Sequence, residues 1–115
     1  MYSVVFYESE KGDKPIEEFL DSLDVKMRVK VISMMELLEE KGAELRSPYT
    51  DALGDGIFEL RIKQSSNITR CLFFFCTEGR IIITNGFVKK TQKTPLSEIV
   101  IAKKRRADFL KREKI

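Results

Sequence analysis

Arginine side chains that meet on one face of a β-sheet can hold a phosphodiester, and this sequence places two of them on neighbouring segments. Arg61 lies in an alternating apolar and polar segment over 57–63, and Arg70 lies in the apolar segment over 68–76. A two-residue turn between the segments would set Arg61 directly opposite Arg70. A shift by one residue would pair Arg70 with Ile62 and place the charge on the apolar face. The hydrophobic pattern therefore favours the register in which Arg61 lies opposite Arg70.

A second predicted turn extends this face to a third strand. With residues 78–79 as a two-residue turn, Arg70 lies opposite Phe87 and Leu72 lies opposite Asn85. The predicted face is exposed to solvent and carries charged, polar and aromatic side chains: Glu59, Arg61, Lys63, Arg70, Asn85, Phe87 and Lys89.

Like charges that lie directly across a ladder repel, which is normally avoided. A bound anion held by both guanidinium groups would relieve the repulsion between Arg61 and Arg70. An exposed Phe87 would add a surface on which a base of single-stranded RNA could stack. Replacing Arg61 with Gln should then leave the free energy of unfolding unchanged or raise it. The alternative is that both arginines are merely solvated surface charges.

Composition excludes several kinds of chemistry. The chain has no histidine, which removes an imidazole base, a Ser-His-Asp triad and any His-ligated metal. Its two cysteines, Cys71 and Cys76, are too few for an all-cysteine zinc site, and we expect both to be reduced and structural. No apolar run approaches the ~20 residues of a membrane helix, and the start does not resemble a signal peptide. We therefore expect a cytoplasmic protein without a membrane partner.

Charge is distributed unevenly along the chain. Residues 1–56 carry 7 Lys/Arg and 13 Asp/Glu, whereas residues 57–115 carry 14 Lys/Arg and 5 Asp/Glu. The basic second half predicts an anionic partner, with nucleic acid as the first candidate. It includes the basic tract 89–93 and the cluster 103–106, which is expected to lie on the solvated face of a helix.

The pattern of apolar residues predicts the order β-α-α-β-β-β-α in a single domain over 1–115. Strands are predicted over 2–7, 57–63, 68–76 and 80–88, helices from Pro15 to about residue 23, over 25–41 and from Pro95 to about residue 111, and a loop over 43–56. Asp13 and Asp24 are candidate N-caps of the first two helices, and Gly42 is a candidate C-terminal residue of the second. The fold class is α+β, with a mainly antiparallel sheet packed against the N-terminal helices.

The second helix is predicted to bury a wide face. One apolar stripe contains Val25, Val29, Ile32 and Met35, and a second stripe beside it contains Val31, Met34 and Leu38.

Several strings in the second half resemble the HigB branch of the RelE/ParE toxin superfamily, and in particular its phage-derived HigB-type toxins. They are the Glu-Leu-Arg string over 59–61, Arg70, the Gly-Phe-x-Lys-Lys-Thr-x-Lys-x-Pro string over 86–95, Glu98-Ile99 and the segment 102–105. The resemblance spans nearly the whole chain and implies a RelE-like fold. It also implies a toxin without metal or other cofactor, which cleaves messenger RNA in the ribosome by attack of the 2′-hydroxyl. Its partner would be a HigA-like helix-turn-helix antitoxin.

The resemblance also implies roles for individual residues. The catalytic group would comprise Arg61, Arg70, Phe87, Lys89 and Lys90, and the RNA-binding group would comprise Lys63, Asn85 and Lys93. Proton transfer would fall to a lysine whose pKa is lowered by neighbouring arginines, or to Glu59. No tyrosine is expected there, because Tyr2, Tyr7 and Tyr49 all lie in the N-terminal half.

Two other functions remain open from the sequence. A ParE-like gyrase inhibitor would share the fold and cleave no RNA, and a non-catalytic RNA-binding or partner-binding module would need no reactive groups. The grouping of Arg61, Arg70 and the lysines at 89–90 favours the endoribonuclease over the gyrase inhibitor.

Overall fold

Residues 1–89 and 93–113, which the computed structural model describes, form three α-helices and one five-stranded sheet. The elements are β1 (Ser3–Phe6), α1 (Pro15–Ser22), α2 (Val25–Lys41), β2 (Thr50–Gly54), β3 (Ile57–Gln64), β4 (Asn67–Cys76), β5 (Arg80–Lys89) and α3 (Leu96–Glu113). The α+β class is confirmed. No helix in these two ranges is long and apolar enough to cross a membrane.

The strands lie in the order β1-β5-β4-β3-β2. β1 pairs with β5 in parallel, and the other neighbours are antiparallel. The prediction of a continuous loop over 43–56 is wrong, because part of this segment forms β2. Thr50 of β2 pairs with Leu60 of β3. This short edge strand has a weak apolar pattern, so its pairing depends on a neighbour already in place.

The predicted register of the β3–β4 hairpin is confirmed, with Arg61 opposite Arg70 and Phe58 opposite Phe73. In the β4–β5 hairpin, Arg70 lies opposite Phe87 as predicted, but the prediction of a two-residue turn is wrong. It has three residues, Thr77–Gly79, rather than two.

A β-bulge restores the predicted pairing further from that turn. Leu72 lies opposite Asn85 whereas Phe73 lies opposite Ile83, which leaves Thr84 as the extra residue. The longer turn and the bulge shift the register by one residue in opposite directions, so their effects cancel at Arg70.

Helices pack on both faces of the sheet. Phe19 of α1 covers Gly86, where an added Cβ would lie 2.5 Å from the Phe19 ring, so this position of the Gly-Phe string needs a glycine for close approach. On the opposite face, the ring of Phe109 in α3 lies 6.0 Å from that of Phe74. The expectation of one open sheet face is therefore wrong, because α3 covers much of it.

The predicted N-cap of α2 is confirmed, since the Asp24 carboxylate accepts a hydrogen bond of 2.9 Å from the Met27 amide. The N-cap residue of α1 is Lys14 rather than Asp13, and no side chain in the described part of the chain caps that helix.

The wide buried face predicted for α2 is wrong. Val25, Val29 and Ile32 are exposed, and the buried residues of this helix are Met27, Val31, Met35 and Leu38. A helix that rests on one sheet buries a single stripe, so most of the first predicted stripe is left in solvent.

Both cysteines are free, as expected. Cys71 is fully buried, and burial raises the pKa of its thiol to about 12. Its thiol therefore stays protonated and unreactive near neutral pH.

The two candidate caps provide a matched test. Replacing Asp24 with Ala should lower the free energy of unfolding by about 1 kcal/mol, because the Met27 amide loses its acceptor. Replacing Asp13 with Ala should change it by less than about 0.5 kcal/mol. Urea unfolding followed by circular dichroism measures both variants, and equal losses would contradict the assignment of the cap.

Candidate active site

A buried polar network lies where the predicted basic face meets the start of α3. Arg70 is fully buried, and Glu59 is only 2% exposed. The Thr94 hydroxyl donates a hydrogen bond to Glu59 Oε1 and accepts one of 3.2 Å from Arg70 Nη1. Arg70 Nη1 lies 4.0 Å from the same carboxylate oxygen. The expectation that Arg70 and Glu59 face solvent is wrong, because the segment that leads into α3 closes over them.

Arg61 occupies the outer side of this network. Its Nε lies 3.5 Å from Glu59 Oε2, and its side chain is 27% exposed. Glu59 therefore contacts both arginines, and its charge offsets the repulsion that a bound anion was expected to relieve. The expectation that an Arg61 to Gln variant is equally or more stable loses its basis, since the variant would also lose an ion pair.

Asn85 and Phe87 are less accessible than predicted. The Asn85 side-chain amide donates to the main-chain oxygen of Glu98 and, at 2.9 Å, to Glu98 Oε1. It also accepts from the Thr84 hydroxyl at 2.7 Å. Phe87 is half-buried and packs against the core. Asn85 thus fastens α3 to the sheet, and Phe87 offers only part of its ring for stacking.

The predicted lysines differ in how they are placed. Lys63 is exposed near the end of the β3–β4 hairpin, and its strand partner is Ile68. Ile68 also pairs with Lys89, so these two lysine positions flank one residue of β4. Lys93 is exposed next to Thr94, and Lys90 lies outside the described residues.

A cleft between α2 and the start of β2 joins residues that the sequence did not group. It has a volume of about 380 Å³ and is lined by Lys30, Met34, Pro48, Tyr49, Arg61, Ile62, Lys63 and Ile68. The Tyr49 carbonyl oxygen accepts a 2.8 Å hydrogen bond from the Arg61 amide. The expectation that no tyrosine lies near the site is therefore wrong. Only the pairing of β2 with β3 brings Tyr49 to Arg61, and no local sequence signal indicates this.

A second pocket, of about 280 Å³, is lined by Asp51, Leu53, Glu59, Lys93 and Thr94. Asp51 is an exposed carboxylate that lies opposite Glu59 in the β2–β3 ladder. Within residues 1–89 and 93–113, no three acidic or cysteine side chains group as metal ligands.

The element order and the mostly antiparallel five-stranded sheet define a RelE-like α+β fold. Residues 18–107 match the family of phage-derived Gp49-like proteins (DUF891). The chain belongs to this family of RelE/HigB-like toxins. No curated protein matches the chain. The resemblance is confirmed at the level of the toxin family, whereas a HigB-type assignment within it stays a prediction.

The buried network predicts unequal effects on stability for the two arginines. Replacing Arg70 with Met should lower the free energy of unfolding by about 3–5 kcal/mol, because Glu59 would keep a buried charge without its inner partner. Replacing the partly exposed Arg61 with Gln should cost less than about 1 kcal/mol. Urea unfolding tests this difference.

A double variant separates the loss of the ion pair from other effects of the Arg70 substitution. Combining Arg70→Met with Glu59→Gln should cost less than the sum of the two single changes, since no unpaired charge stays buried. Additive losses would contradict direct coupling between Glu59 and Arg70.

Proposed function

We propose that this chain is the toxin of a type II toxin–antitoxin pair, and that it cleaves ribosome-bound messenger RNA without a metal or other cofactor. The observation that supports the proposal is the position of Arg61 between a cleft and a buried carboxylate. Arg61 lines the 380 Å³ cleft, and its Nε lies 3.5 Å from Glu59, which the buried Arg70 and Thr94 contact in turn. A cation fixed in this way is preorganised to stabilise charge on a phosphate.

The reaction would begin with in-line attack of a ribose 2′-oxygen on the adjacent phosphorus. The bond from phosphorus to the 5′-oxygen then breaks, which leaves a 2′,3′-cyclic phosphate and a 5′-hydroxyl. Negative charge grows on the phosphoryl oxygens and on the leaving oxygen during this step. Arg61 and Lys63 would stabilise that charge, together with the basic segment that includes Lys89, Lys90 and Lys93.

Burial separates direct roles from supporting roles in this proposal. Both Glu59 oxygens already have partners, so its part is to position Arg61 rather than to act as a base. Arg70 is fully buried and supports the same carboxylate, Asn85 joins the sheet to α3, and Phe87 packs against the core. An exposed lysine beside Arg61, such as Lys63, would then donate a proton to the leaving 5′-oxygen, and water would take the proton of the 2′-hydroxyl.

Arg61 is the best residue for a test of activity, because removing Arg70 would also destabilise the protein. Arg61→Gln should lower the cleavage rate about 10²–10³-fold while the chain stays folded. The control is Lys11→Gln, which removes the same charge from the exposed turn before α1 and should leave cleavage unchanged. Expression in bacteria followed by primer extension on a reporter messenger measures the cut ends.

End-group analysis decides the reaction type. The products should carry a 2′,3′-cyclic phosphate and a 5′-hydroxyl, and EDTA should not slow cleavage of a ribosome-free oligonucleotide. A 5′-phosphate would mean that water attacks instead. Growth arrest with intact messenger and altered DNA topology would favour a gyrase inhibitor, and no arrest with intact messenger would favour a binding module.

The partner in this proposal is a HigA-like helix-turn-helix antitoxin with acidic segments that cover the basic second half of the chain. Such a complex should combine charged and apolar contacts, so its Kd should rise between ~50 mM and ~1 M salt without binding being lost. Isothermal titration calorimetry with the product of a neighbouring gene measures this. A Kd that does not change with salt would remove charge attraction from the proposal.

A further inference from the structure

The cleft between α2 and the start of β2 has two kinds of wall. Met34, Pro48, Ile62 and Ile68 are its apolar lining residues, and Tyr49, which is 47% exposed, is its aromatic one. The other lining residues are three cations, Lys30, Arg61 and Lys63. Apolar and aromatic walls beside cations suit a ligand with a flat ring and a negative charge.

Two of these cations, Lys30 and Arg61, are fixed to the frame of the cleft. The Lys30 ammonium group donates a hydrogen bond to the main-chain oxygen of Lys63, which links α2 to the end of the β3–β4 hairpin. Arg61 is held by Glu59 through its side chain and by Tyr49 through its main chain. The cleft thus has a defined shape without a ligand, which lowers the ordering cost of binding.

The position of Tyr49 relates the aromatic wall to the candidate active site. Thr50, the first residue of β2, pairs with Leu60, and the preceding Tyr49 accepts a main-chain hydrogen bond from Arg61, so Tyr49 lies beside β3. A ring stacked on Tyr49 would therefore lie within one nucleotide's length of a phosphate bound by Arg61 or Lys63. Since none of the described residues that line the cleft is acidic, its charge favours an anion.

We propose that this cleft binds one nucleotide of single-stranded RNA, with its base against Tyr49 and the apolar wall and its phosphate toward Arg61 and Lys63. The inference rests on the proposed function, because it takes the same RNA as the ligand. It adds a base-binding subsite formed by α2 and the segment just before β2. The other possible occupant is an acidic, aromatic segment of a partner protein, and the experiment below separates the two.

The test uses the full chain and a short 5′-fluorescein RNA whose 2′-oxygens are methylated, so that it binds but cannot be cleaved. Fluorescence polarisation gives the Kd. Tyr49→Ala should raise the Kd about 5–150-fold, the range expected for loss of one stacked base. Tyr49→Phe keeps the ring and should stay within about threefold of the parent, which excludes a general effect of altering this position.

Two exposed lysines provide the matched control for charge. Lys63→Gln should weaken binding and reduce the dependence of log Kd on log salt by about 0.7, as for one lost phosphate contact on a single strand. Lys41→Gln removes the same charge at the exposed far end of α2 and should change neither quantity. Circular dichroism checks that each variant is folded.

The outcomes distinguish this inference from the proposed function. A parent chain that binds the methylated RNA in a Tyr49-dependent way but cleaves no RNA would support the cleft and overturn the endoribonuclease. A parent chain that cleaves RNA, with Tyr49→Ala unchanged in binding, KM and kcat, would overturn the cleft alone. The proposed cleft would also be overturned if the parent chain bound no RNA at protein concentrations up to ~1 mM. Tyr49-dependent binding of an antitoxin peptide, without binding of RNA, would overturn it as well.

Discussion

A single buried carboxylate connects the parts of this protein that have to be placed together. Glu59 lies between Arg61 and Arg70 and accepts a hydrogen bond from Thr94, so one charge from β3 meets β4 and the segment before α3. Burying a charge is costly unless it is paired and hydrogen-bonded. The hairpin register and the path into α3 are therefore coupled, because a change in either would leave Glu59 or Arg70 buried without its partner.

The bulge in β5 strengthens the same connection. Thr84 bonds to the Leu72 carbonyl and to Asn85, while Asn85 bonds to Glu98 in the first turn of α3. Arg105, two turns further along this helix, donates a 2.7 Å hydrogen bond to the Thr84 carbonyl. The irregularity in the sheet is thus a docking point for the helix, which explains why part of the basic cluster at 103–106 is occupied by structural contacts.

In this arrangement the positively charged residues of the second half of the chain, 57–115, form two groups. Arg70 and Arg105 are engaged inside the fold, whereas Arg61 and Lys63 lie at an accessible cleft. A site built in this way gains rigidity from its buried members and keeps its outer cations available to a ligand. Preorganisation of this kind favours binding of an anionic ligand, since the protein supplies charge at fixed positions.

The sequence by itself determined most of the secondary structure and the facing of Arg61 and Arg70, because a one-residue slip would bury charge among the apolar residues of β3 and β4. It could not determine whether that face is open, since alternation separates two faces without showing what covers each of them. Only the tertiary structure decided that the segment before α3 covers Arg70, that Val25 and Val29 stay in solvent, and that the pairing of β2 brings Tyr49 to Arg61. These outcomes depend on contacts between elements far apart in the chain, which local periodicity does not encode.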